Sequence, residues 1–216
     1  MNAVIVIILS LFIGTGASFK TQLENYLNKN LSEFQGYKYE ILQMPDSYKE
    51  IELVKSNEFN LSGNLVYVPV KVVKNSGRII RAIITVKIKI FRNVFVTAKK
   101  INRKEKLVLG CFIKKEEDIT EIKGTPVYSL NKIDLYRAKM MMKAGDVLTK
   151  QDMEEIPIVN VGDEMNAGYI NGNVLVTFKV YARQEGVAGQ IITVITSDNK
   201  LFKGKIVDSK NLKIVE

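Results

Sequence analysis

On both sides of Lys74-Asn75-Ser76-Gly77 apolar residues return at every second position, and that four-residue run has the length and residue types of a hairpin loop. Period-two alternation sends successive side chains to opposite faces of a strand. In residues 78–90, Ile84, Val86, Ile88 and Ile90 therefore share one face, and Thr85, Lys87 and Lys89 the other. One face is core and the other wet, so residues 65–73 and 78–90 are expected to pair as antiparallel strands. Upstream, Leu23, Tyr26, Leu27, Leu31 and Phe34 recur at intervals of three and four, which predicts a helix over 19–34 that stops before Gly36. Residues 37–44 and 51–55 read as strands around a Pro45-Asp46 turn. Up to about Arg92 the chain reads as a small α+β unit.

The last third carries strand signals at 158–161, 174–181, 191–196, 205–207 and 212–215. Gly162-Asp163, Asn171-Gly172-Asn173 and Ser197-Asp198-Asn199 separate some of them, which predicts a small barrel or sandwich. Between the two regions lies an internal echo: Gly110-x-x-Ile113-x-Lys115-x-Glu117 against Gly145-x-x-Leu148-x-Lys150-x-Asp152. Its physical content is a glycine turn, an apolar residue that plugs a core, and a short capped helical turn, with Thr149 and Asp152 at capping-box spacing.

Residues 3–13 are an apolar run broken only by Ser10, followed by Gly14, Gly16, Ala17 and Ser18, the small side chains a signal peptidase requires. The run is about half of the ~20 residues a spanning helix needs, so a cleaved export signal ending near Ser18 is expected. An uncleaved anchor or a buried strand is the alternative, because no lysine or arginine precedes the run. Cys111 is the only cysteine; it excludes an internal disulfide and stands far from the position a lipid-modified terminus requires.

The sequence holds no histidine, which removes the commonest general base and the commonest metal ligand. With one cysteine and no calcium-loop ladder, no metal site is expected. Glu116-Glu117-Asp118, Glu154-Glu155 and Asp163-Glu164 could supply a glycosidase pair on paper, but adjacent acids point apart and read as solvated turns. Gly186-Val187-Ala188-Gly189 resembles a KH-type GxxG loop, yet it lies between strand signals rather than helices. Lysine and arginine exceed acids by 32 to 23, giving a net charge of +9, and the excess gathers mid-chain at Lys71, Lys74, Arg78, Arg81, Lys87, Lys89, Arg92, Lys99, Lys100, Arg103, Lys104 and Lys106. Two readings stay open: a solvated sheet face, or a docking surface for an acidic partner.

The order of these features resembles the flagellar basal-body P-ring formation protein family (FlgA). Residues 94–98 with Ile101-Asn102-Arg103 look like the opening of its SAF (β-clip) region, and 110–119 like its first turn. Arg137-Ala138 through Gly145, Leu148 and Asp152 match the second turn, and Ala182, Gly186, Gly189, Ile192 and Val194 match its closing pattern. The resemblance makes Gly110, Ile113, Arg137, Gly145, Leu148, Asp152, Ala182, Gly186, Gly189, Ile192 and Val194 structural motif residues. It implies an α+β, mostly β fold: a signal peptide at 1–18, an N-terminal α+β domain at 19–93, a SAF region at 94–153, and a C-terminal β domain with a small barrel-like unit at 154–216. It further implies a periplasmic chaperone that binds P-ring subunits, is no enzyme, needs no cofactor, and engages neither nucleic acid nor the membrane after cleavage, with at most transient cell-wall contact. A pilus-type exported SAF assembly protein and a cell-wall carbohydrate-binding protein are the competing readings.

Overall fold

The computed structural model describes residues 16–54, 59–171 and 174–215. The apolar run at 3–13 lies outside the described residues. The chain divides into two compact units. The first comprises the described residues up to Lys100, with Gly110–Leu130 and Lys143–Gln151; the second comprises Ile101–Leu109, Asn131–Met142 and the described residues from Asp152.

In the first unit a helix, α1 (Gly16–Asn30), precedes β1 (Gly36–Gln43), β2 (Tyr48–Leu53), β3 (Leu61–Ser62), β4 (Leu65–Lys74), β5 (Ile79–Thr97) and β6 (Phe112–Asp118). The sheet order is β1-β5-β4-β2, with β3 on β4 and β6 on β5. The hairpin forms as its pattern requires: Val73 faces Ile79, Lys74 and Arg78 close the loop, and Gly77 takes φ +82°. Val66, Val68, Val70 and Val72 of β4 and Ile84, Val86, Ile88 and Ile90 of β5 are buried against Leu23, Leu27 and Leu31. Each such side chain contributes roughly 1.5–3 kcal/mol on removal from water.

The helix ends earlier than its apolar spacing suggests. Leu31 makes the last i−4 bond, Phe34 bonds only to Leu31, and the Asn30 amide turns back onto the Tyr26 carbonyl at 2.8 Å. Leu31 and Phe34 still pack into the core from a turn, which is why they kept helical spacing without helical backbone. The sequence reading began a new region at Val94, but β5 runs unbroken through it. Phe91 faces Gly36 of β1 and Asp118 of β6, so β6 extends the pairing that lets β5 continue to Thr97.

The second unit contains a short pair, β7 (Tyr136–Ala138) with β8 (Met153–Glu155), and a closed five-stranded barrel. Its strands are β9 (Glu164–Asn171), β10 (Val174–Ala182), β11 (Ile191–Ile195), β12 (Leu201–Ile206) and β13 (Asn211–Val215), closing as β10-β11-β12-β13-β9. All neighbours are antiparallel except β13 and β9. Met165, Ala167, Val180, Ala182, Ile192, Val194, Ile206 and Leu212 fill the interior. Closure needs a gap at Gly204, where a Cβ would lie 2.2 Å from Leu212 Cδ1. The expected strand at 158–161 is absent; that segment is a bridge and a tight turn, and the fifth barrel strand is β9 instead.

Candidate functional site

Four tight turns, at 102–105, 143–146, 160–163 and 187–190, share one geometry. In each, the first residue's N–H donates to the side-chain oxygen of the fourth: Asn102 to Glu105 (2.9 Å), Lys143 to Asp146 (2.7 Å), Asn160 to Asp163 (2.7 Å) and Val187 to Gln190 (3.1 Å). The fourth N–H returns to the first carbonyl. The third residue has positive φ: Lys104 66°, Gly145 88°, Gly162 92° and Gly189 81°. An Asp, Glu or Gln in the fourth place thus satisfies the amide that the tight turn would leave unpaired.

Each turn then clasps one residue of a neighbouring segment between its third N–H and its fourth carbonyl. The clasped residues are Ala138, Thr97, Ala182 and Ile206, and every one of these eight bonds is 2.7–2.9 Å. All four are buried. Thr97 adds its hydroxyl, which donates to the Lys143 carbonyl and accepts from the Asp146 N–H. The residues just before the turns pair in twos through reciprocal backbone bonds, Ile101 with Met142 and Val159 with Gly186. Two places after each turn stands a buried plug: Leu107, Leu148, Met165 and Ile192. These are clips of backbone hydrogen bonds, each capped by a side chain and anchored by an apolar residue.

This places the motif residues. Gly145 and Gly189 occupy the positive-φ corner of a clip, Leu148 and Ile192 are plugs, and Ala182 is a clasped residue. Gly186 carries a bridge where a Cβ would meet Ile206 Cδ1 at 2.5 Å and Ile192 Cγ2 at 2.9 Å. Val194 lies in the barrel core, and Asp152 ends a 3-10 turn (Lys150–Asp152), its carbonyl accepting from Lys139. The proposed echo between Gly110 and Gly145 does not hold in three dimensions. Gly110 sits in a 3-10 turn (Leu109–Cys111) without positive φ, and Ile113 is 54% exposed on β6. The real partner of Leu148 is Leu107, and of Gly145 it is Lys104. The interval from Asn102 to Lys143 is the interval from Leu109 to Lys150, so turn, plug and 3-10 turn all repeat in that register. What hid it was a lysine where the other copies have glycine; the signal that could have found it is the acid or amide in the fourth place.

Among the described residues, the one dense charge network belongs to the second unit. Arg137 on β7 donates through Nε to Glu154 on β8 at 2.7 Å and through its terminal nitrogen to Glu185. The other oxygen of Glu185 accepts from Lys104 Nζ at 2.7 Å. The Glu185 carboxyl is held down to about 2 by the Arg137 hydrogen bond first and the Lys104 bond second. For Arg137, burial opposes the charge, and the Glu185 and Glu154 bonds outweigh it, raising its pKa. Lys104 therefore carries two duties, a clip corner that ordinarily belongs to glycine and a charge on Glu185.

Of the mid-chain cations, Lys71, Arg81, Lys87 and Lys89 alternate onto the sheet face opposite the core, where Glu52 faces Lys71 and Glu40 faces Lys87. Arg92 is stacked over the Tyr128 ring, 4.1 Å from its centroid. Among the described residues no group of three or more His, Cys, Asp or Glu is placed to hold a metal ion. No helix of the described residues is long and apolar enough to cross a membrane.

Clips that clasp buried backbone and a barrel closed on itself define a mostly β protein. The chain belongs to the family described as chaperone for flagella basal body P-ring formation, whose model matches residues 92–214. That span takes in all four clips and all five barrel strands but for Val215, the last residue of β13. A curated relative, the flagella basal body P-ring formation protein FlgA of Aquifex aeolicus (strain VF5), is 31% identical over 75 residues, which cover 34% of this chain and 34% of that protein. The matched stretch thus spans about a third of that relative. Two crystal structures share the fold. Salmonella FlgA in open form has a TM-score of 0.62 at 14% identity, over 90% of this chain and 91% of that one. The flagellar protein FlgA from Thermotoga maritima MSB8 has a TM-score of 0.54 at 20% identity, over 94% and 73%.

Proposed function

We propose that this protein promotes P-ring formation by binding P-ring subunits in the periplasm before they join the ring. The observation that carries the reading is the coincidence of the family match with the clips and barrel: what matches is the part built as a stable binding body. The motif residues act by holding that body in shape, Gly145 and Gly189 at clip corners and Leu148 and Ile192 as plugs. Arg137 acts by tying β7 to β8 and to Glu185. Function comes from the surfaces so displayed, without catalysis, cofactor, nucleic acid or lasting membrane insertion.

Export by a signal cleaved near Ser18 belongs to the same proposal, as does a division into an N-terminal domain at 19–93, a SAF region at 94–153 and a C-terminal domain at 154–216. Deleting the gene in the source bacterium and counting P rings on isolated basal bodies tests the role. Loss of rings, restored by the intact gene, is expected; normal ring numbers in the deletion overturn it. Amino-terminal sequencing of the protein recovered from the periplasm tests export: an intact Met1 refutes cleavage.

A further inference from the structure

The barrel's outer wall carries unneutralised positive charge. Outward positions follow from register: Glu164, Asn166 and Gly168 on β9; Leu175, Thr177, Lys179 and Tyr181 on β10; Ile191, Thr193 and Ile195 on β11; Leu201, Lys203 and Lys205 on β12; Asn211, Lys213 and Val215 on β13. The only acid among them is Glu164, and it is paired with Lys179. Lys203, Lys205 and Lys213 are exposed and have no ion-pair partner among the described residues.

Their placement is costly to the isolated fold. Lys205 and Lys213 stand directly opposite each other on paired strands, where side chains approach within about 5 Å and like charges repel. Lys203 lies two residues from Lys205 on the same strand and face, about 7 Å along it. The outward face of the first unit's sheet also sets like charges opposite each other, Lys71 with Arg81 and Lys38 with Lys89, but acids are interspersed there: Glu52 stands opposite Lys71, Glu40 opposite Lys87, and Glu121 lies 4.0 Å from Lys89. Beside the three lysines, Ile191 faces Lys205 directly and is 52% exposed, and Val207, just past β12, is 61% exposed. Gly168 faces Lys213 and offers no side chain to cover it.

We infer that Lys203, Lys205 and Lys213 form a docking site for an acidic, partly apolar segment of a protein partner. Carboxylates two residues apart on an extended segment repeat at about the spacing of Lys203 and Lys205. Apolar side chains of that segment would cover Ile191 and Val207. The inference rests on the proposed role and takes the P-ring subunit as the protein that carries the segment. Charges so placed act chiefly on encounter, so their signature is a salt-dependent association rate.

The test immobilises the full-length chain and measures association of purified P-ring subunit at low and high salt, for the native sequence and for the K203E/K205E/K213E variant. Circular dichroism and thermal unfolding of the variant check its fold, and K203Q/K205Q/K213Q replaces it if the reversal does not fold. The site predicts an association rate at least tenfold slower in the variant at low salt, converging with the native rate at high salt. Native-like association and salt dependence in a folded variant overturn the site and leave the chaperone role intact. No binding by the native chain overturns the role itself. Vesicles with anionic headgroups serve as a second probe: lysine-dependent binding to vesicles with unchanged binding to the subunit also overturns the inference.

Discussion

Gly186→Ala is expected to destabilise the second unit by overpacking, and the effect can be traced to named atoms. The new Cβ would lie 2.5 Å from Ile206 Cδ1 and 2.9 Å from Ile192 Cγ2, well inside ordinary van der Waals contact. Backbone strain is not involved, because Gly186 is outside the positive-φ region. Inserting a methyl group into a packed site costs about 1–3 kcal/mol. Ile206→Val removes Cδ1, the nearer obstacle, and alone costs about 0.5–1.5 kcal/mol by leaving a small cavity. The two changes therefore share one space, and the double variant should be more stable than the sum of the single costs implies by about 1 kcal/mol. Residue 206 keeps its clip, since that is made by backbone. Urea unfolding followed by far-UV circular dichroism gives the three free energies. Costs that add to within about 0.5 kcal/mol would refute the shared-space argument.

Gly162→Ala and Gly189→Ala meet no neighbouring atom, so their cost is left-handed backbone alone, about 1 kcal/mol, and asparagine at either position should cost less in the same urea titration. Leu107→Ala and Leu148→Ala should each cost about 2–5 kcal/mol as buried plugs, whereas Ile113→Ala should change stability by no more than about 0.5 kcal/mol. Glu185 should give a pH signature. Its pKa is depressed from 4.5 to about 2, so its stabilising effect is present above about 4.5 and is lost as pH falls through about 2. The melting temperatures of the native chain and of Glu185→Gln should therefore converge between pH 5 and 2; a gap that stays constant across that range contradicts the network.

How far the sequence could be read follows from where each signal is local. Alternation around 74–77 specified a hairpin because both partners are adjacent in sequence and one face is buried. The helix was legible from Leu23, Leu27 and Leu31, although its last turn was not, since Asn30 bonds back to its own helix and stops it. Barrel strands β10, β11 and β13 were found from their β-branched runs and turns. β9 was missed because Glu164-Met165-Asn166-Ala167-Gly168 offers a small and partly polar strand, held by a parallel pairing with β13 that no local pattern announces. The internal echo was legible as a repeat, but its register was not. Gly110 carries the glycine signal without the positive φ, while the first clip has Lys104 at its corner. The clasping of Thr97, Ala138, Ala182 and Ile206 could not be read from sequence, because it is carried by backbone bonds to distant turns.

The most direct test of the account is the binding of purified P-ring subunit by this chain in solution, followed by isothermal titration with the full-length protein. The account predicts a saturable complex that involves no turnover and weakens with rising salt. No heat and no complex, with both proteins folded and at concentrations well above the micromolar range, would contradict it.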